Sequence, residues 1–378
     1  MPTPPRLRTT LCMLGALCAG CVSPMEDRAP RADASGLSRP RATTRATAEP
    51  ATQTKAPAAP PPSSAPTPPP APAPPLPTGA EARAVRVLDG RTGDAVPWDA
   101  MVSAAAGADA VIIGENHRHP LGLAFAAALW EDVLARSAHA ALSMEFFERD
   151  DQAGLDDYLA GLTDEKTFRT RTRRTDGNYP AGHRAMVEAA KAAGRPVYAA
   201  NAPRVYVRLA RTASFERLAE LTPEQRRLFR VPDELPASDS RYRRDFDEIM
   251  DKPHVPPATP NSPGAEPKPE TPEEKADRIE RGFRSQSLWD WTMAEAVADA
   301  LTDGHAPVVH VVGRFHSDFK GGLVAALEKL RPGTRIVTVT TIDEPPGTLR
   351  DADRARADFV VYVGAPAGAG TDPNGSGG

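Results

Sequence analysis

Ten consecutive residues, Val111-Ile-Ile-Gly-Glu-Asn-His-Arg-His-Pro120, restrict the fold more than any other stretch of the chain. An apolar run from Ala110 to Ile113 stops at Gly114, and Glu115, His117 and His119 follow at once. Pro120 then opens a long apolar-periodic segment, Leu121 to Leu134. The pattern predicts a buried strand, a glycine turn and a helix that begins at a proline. In open α/β sheets, ligands bind beyond the carboxyl ends of the strands, which is where these polar residues fall.

The rest of the chain repeats the alternation. Strands are expected at Ala84–Leu88, Ala140–Glu145, Pro196–Ala200, Val308–Val312 and Thr334–Val339, with Asp358–Val363 as an edge strand. Helices are expected at Trp98–Ala106, Asp151–Ala160, Gly182–Ala193, Ala276–Leu301 and Leu323–Leu330. Such alternation implies right-handed crossovers and an α/β fold, a mostly parallel sheet flanked by helices. Residues 205–285 interrupt it with charged helical patterns and read as a helical insertion, a lid over the sheet's open edge. Within that insertion, 253–272 is proline-broken, of low complexity, and expected to be a disordered loop.

The ends carry a different signal. Residues 1–21 combine a basic start, Arg6 and Arg8, with a short apolar core, Leu11 to Ala19, and then Gly20-Cys21. This reads as a lipoprotein signal peptide with lipidation at Cys21, an ordinary secretory signal being the alternative. Val22 after the cysteine suggests outer-membrane sorting in a bacterial envelope. From residue 22 to 82 there is no hydrophobic period, and thirteen prolines fall between Pro50 and Pro77, so the segment reads as an extended, disordered tether. The α/β domain is expected over 83–363, with a Gly-rich disordered tail at 364–378. All three cysteines (Cys12, Cys18, Cys21) lie in the signal segment, so the mature chain has no disulfide and no thiolate chemistry. A net charge of −4 gives no reason to expect nucleic acid as a partner.

Three strand ends carry acid or imidazole: Glu115 with His117, Glu145, and His316. Neighbouring strands lie about 4.8 Å apart, so these groups can converge on one ligand. Two carboxylates and two imidazoles suit a divalent metal such as Mn, Co or Zn. The same four residues could act as acid and base in hydrolysis, and imidazole or phenolate could hold haem iron. Taken singly, each has a structural reading: a helix-capping carboxylate, a solvated turn histidine, a loop residue. Arg204, at a fourth strand end, pairs either with a ligand carboxylate such as a haem propionate or with Glu145 or Glu115. His119 belongs to the same His-x-His but lies where the helix begins. His310 reads as a core residue, while His139, His183, His254 and His305 carry no site signal. Neither a G-x-G-x-x-G after a strand nor a Walker loop, H-E-x-x-H or G-x-S-x-G is present.

At these residues the sequence resembles the ChaN-like haem-binding lipoproteins, within a superfamily that includes the Tiki/TraB proteins and the erythromycin esterases. The matching pieces are Gly114-Glu115-Asn116-His117, Glu145-Phe146-Phe147, Tyr179-Pro180, Ala200-Asn201-Ala202-Pro203-Arg204, Gln286 to Met293-Ala294, and Gly313-x-x-His316. The resemblance runs from about Val85 to Val363, apart from Pro253–Pro272. The resemblance implies an outer-membrane lipoprotein that binds haem for iron acquisition, with two haems stacked face to face in a homodimer. It also implies a tyrosine ligand, for which Tyr242 and Tyr206 in the insertion are considered, either of which could simply pack. His117, His119, Arg204, Tyr242 and His316 are thus the expected haem contacts. The superfamily's hydrolase branches imply the alternative, a metal-dependent esterase or peptidase using Glu115, His117, Glu145 and His316. One departure concerns the site itself: the family pattern continues His-Asp-Asn-Pro, whereas this chain has His117-Arg118-His119-Pro120.

Overall fold

The computed structural model of the protein describes residues 77–251 and 270–365. The expected signal peptide, Cys21, almost all of the tether, the loop after Asp251 and nearly all of the Gly-rich tail lie outside these residues. Eight strands form one sheet: β1 (Val87–Asp89), β2 (Ala95–Val96), β3 (Ala110–Glu115), β4 (Ala141–Glu148), β5 (Val197–Asn201), β6 (Val308–Gly313), β7 (Ile336–Ile342) and β8 (Phe359–Tyr362). Their order is β2-β1-β8-β7-β3-β6-β4-β5. From β8 to β5 every pairing is parallel, and β1 at one side pairs antiparallel with both β2 and β8.

β3 reads as an unbroken apolar run because both faces of the sheet are covered. Val111 and Ile113 pack into one core with helices Trp98–Ala106 and Pro120–Arg136, whereas Ala110 and Ile112 pack into another with helices Pro272–Thr302 and Gly322–Leu330. β6 divides in the same way, with Val309 and Val311 on the first face and Val308 and Val312 on the second.

Three expectations need correction. Strand β8 is not an edge, because it pairs with β7 on one side and with β1 on the other. The fold starts before Arg83: helix Gly79–Arg83 is closed by a capping box between Thr78 and Glu81 and buries Ala82. The helix expected from Ala276 is the 31-residue helix Pro272–Thr302, started by Thr271 and Glu274 in a second capping box with Pro272 at its first position. It runs through the expected end of the insertion at 285. Its first half packs Ile279 and Phe283 against Tyr242 and Phe246 of helix Arg241–Asp251, and its second half covers the sheet. One rod therefore carries both insertion and sheet, with Gln286 and Asp290 where they meet. Among the described residues, no helix is long and apolar enough to cross a membrane.

Candidate functional site

Because β3, β6 and β4 are neighbours running in one direction, their carboxyl ends bring Glu115, Gly313 and Glu145 together. Glu115 is 1% exposed and uses both carboxylate oxygens. The His117 Nδ1–H donates to Oε1 at 3.2 Å, and the His183 Nε2–H donates to Oε2 at 2.8 Å. Burial alone would raise its pKa, but the His183 charge and the bonds from both imidazoles hold it below the ordinary carboxylate value.

The same bond holds the His117 pKa above the ordinary 6.5, against burial and with help from the Glu145 charge. A carboxylate only accepts, so Nδ1 of His117 carries its proton and Nε2 presents a lone pair. This side chain is 55% exposed. Its Nε2 lies against Gly313, where a Cβ would sit only 2.8 Å away. Phe146 meets the His117 ring edge-on at 5.7 Å and lies over the His183 ring at 3.7 Å.

A second carboxylate–imidazole pair faces the first. Glu145 Oε2 accepts the Gly313 N–H at 2.6 Å, while its Oε1 lies 3.8 Å from Nε2 of buried His316. His316 Nδ1 bonds Asp290 Oδ1 at 2.6 Å, and the Tyr242 hydroxyl donates to Asp290 Oδ2 at 2.5 Å. Gln286 donates to the Tyr242 oxygen at 3.0 Å. Burial and the adjoining Asp290 push the Tyr242 phenol well above 10, so it stays protonated as a donor. Removing that donor leaves a buried carboxylate oxygen short of a partner. Tyr242→Phe should therefore lose about 1–3 kcal/mol of stability in denaturant titration. An unchanged midpoint would show that the bond contributes nothing.

The structure thus brings together Glu115, His117, Glu145, His316 and, one bond further in, Tyr242. It leaves out two expected contacts. His119 is buried and caps helix Pro120–Arg136: Nδ1 accepts the Gly122 N–H at 3.1 Å and Nε2 bonds the Gly364 carbonyl at 2.8 Å, so neither ring nitrogen is free. Arg204 has an 88% exposed side chain and sits 3.5 Å from Glu148 rather than at the cluster. Tyr206 packs on Phe229.

The alternative expectation is a divalent-metal centre on Glu115, His117, Glu145 and His316. Among the described residues no group of three or more His, Cys, Asp or Glu is arranged to hold an ion. Both oxygens of Glu115, Oε2 of Glu145 and Nδ1 of His316 are already engaged with protein partners. Sequence reasoning missed His183, which is 68 positions from Glu115 and comes to it only through the packing of helix Ala181–Ala192. It also gave Asp290 no role, although Asp290 stands on the same helix as Gln286.

A family profile described as "Haem-binding uptake, Tiki superfamily, ChaN" matches residues 101–327. No curated protein matches the chain. Among solved structures, "Cofacial heme binding to ChaN of Campylobacter jejuni" matches with a TM-score of 0.55 and 14% identity, over 73% of this chain and 96% of that one. "The structure of the type III effector HopBA1" matches with a TM-score of 0.37 and 14% identity, over 75% of this chain and 98% of that one. The first likeness shows a shared fold.

Proposed function

The chain belongs to the ChaN family of haem-binding uptake proteins in the Tiki superfamily, and on that premise we propose that it is a haem-binding outer-membrane lipoprotein serving haem or iron acquisition. The observation that supports this most is His117: a half-exposed imidazole whose Nδ1 is held by a buried carboxylate and whose Nε2 has no partner. Such an imidazole nitrogen could hold a haem iron, with a carboxylate behind the ring fixing its tautomer and raising its basicity. The residues present therefore fit the group. His117 would hold the iron, Glu115 orient the ring, and Gly313 leave it room.

When bound, haem would supply the iron that gives the protein its cargo or its redox chemistry. The lipid on Cys21 and a homodimer with paired haems belong to the same proposal, supported by the signal-like start of the chain and by the family. Cys21→Ser should abolish fatty-acid labelling of the expressed protein. Labelling that persists would remove the anchor from the proposal. The alternative expectation, a metal-dependent hydrolase on Glu115, His117, Glu145 and His316, draws no support from a metal-holding group of three or more residues among the described ones.

The raised pKa of His117 gives the proposal a pH signature. A proton on Nε2 competes with iron, so haemin affinity should fall by about tenfold per pH unit below the folded-state pKa. Because that pKa lies above 6.5, the decline should begin at a higher pH than for an unperturbed imidazole. Haemin titrations from acidic to alkaline pH test this, and a flat profile would count against an imidazole ligand.

A further inference from the structure

We propose that His183 is a positioning residue that fixes the tautomer of His117 by way of Glu115. This inference rests on the reading of His117 as the iron-binding residue, but its geometry stands apart from haem. Glu115 is at the tip of β3, wholly buried, and its two oxygens each receive one imidazole N–H. His183, in the first turn of helix Ala181–Ala192, is itself 1% exposed. Its Nε2 makes the shorter of the two bonds, 2.8 Å against 3.2 Å. The three side chains form a row: His183 donates to Glu115, Glu115 accepts from His117, and Nε2 of His117 is left without a protein hydrogen-bond partner beside Gly313.

A purely packing role for His183 fits poorly. Its Nδ1 is buried and has no hydrogen-bond partner. A leucine or phenylalanine would fill the space against Phe146 without stranding a polar atom. What a histidine adds is the one donor that satisfies Oε2. Without it, Glu115 would have a bare oxygen in an apolar pocket, and the carboxylate would rotate or take up a proton. Either change removes the fixed acceptor from Nδ1 of His117 and lets the proton move to Nε2, where it blocks a metal. Supports at this distance from a metal commonly change affinity by about 10–100-fold when removed.

The test compares the wild-type protein with His183→Leu, which removes the donor, and His183→Gln, which keeps an N–H. Ring-nitrogen NMR of the haem-free protein reads the tautomers directly. The wild type should show Nδ1–H on His117 and Nε2–H on His183. Finding the His183 proton on Nδ1 instead would overturn the proposal without any variant. In His183→Leu, the His117 proton should shift toward Nε2, haemin affinity should drop about 10–100-fold, and the iron–imidazole stretching frequency of the ferrous haem complex should fall. His183→Gln should recover most of each change while circular dichroism stays constant. Wild-type tautomer, affinity and stretching frequency in a folded His183→Leu protein would contradict the proposal, as would a His183→Gln protein that loses as much as His183→Leu. If the wild type takes up no haemin, the haem reading fails, and the tautomer measurements still decide the role of His183.

Discussion

Replacing His117 by alanine is expected to abolish the specific Soret shift with haemin and to lower affinity by more than about 100-fold. Loss of an outer-shell support already costs up to about that much, and His117 is the residue whose nitrogen would meet the iron. Stability should change little by comparison, because the side chain is 55% exposed and water can reach the space it leaves. His119→Ala makes the internal contrast. His119 bonds the Gly122 N–H and the Gly364 carbonyl, so its loss should cost about 1 kcal/mol of stability as a removed helix cap while haemin still binds. Two histidines separated by one residue would then separate by phenotype. Equal haemin affinity in His117→Ala and wild type would end the case for an imidazole ligand.

Gly313→Val should also weaken haemin binding, without replacing any polar side chain. The backbone there has φ −54° and ψ 130°, which any residue adopts, so glycine is required by space and not by conformation. A Cβ would lie 2.8 Å from Nε2 and 2.9 Å from Cε1 of His117, and 3.6 Å from Oε2 of Glu145. The His117 ring would have to swing away, which breaks its bond to Glu115 and misplaces Nε2. Haemin affinity should fall by at least about 10-fold, the lower end of what losing ligand orientation costs, and the His117 tautomer should become mixed. The added methyl groups also crowd a fully buried strand end, and overpacking of this kind costs about 1–3 kcal/mol. Haemin binding and denaturant midpoint measured on the same preparation separate the two effects. Wild-type affinity would mean that the ring has room that the geometry denies it.

The sheet was legible where physics is local. Ala110–Ile113 and Val308–Val312 stand out as apolar runs because parallel strands covered on both faces have no polar side to alternate with. The strand tips were legible for the same reason, since Glu115, Glu145 and His316 follow directly on such runs, and the structure does bring them together with His117. What was hidden depends on contacts distant in sequence. His183 looked like an ordinary residue near a helix start, and only the packing of that helix against helix Pro120–Arg136 and β4 makes it a partner of Glu115. Spacing could not separate His117 from His119 either. The difference is that Pro120 starts the helix, which turns the residue before it into a cap. The interior place of β8 was equally hidden, because β1 reaches it from the far end of the sequence.

Haemin titration of the purified full-length chain, followed by absorbance, tests the central claim most directly. A saturable Soret shift reaching one haem per chain, and absent in His117→Ala, is the expected result. No saturable shift in the wild-type protein, or a shift that His117→Ala leaves unchanged, would contradict it.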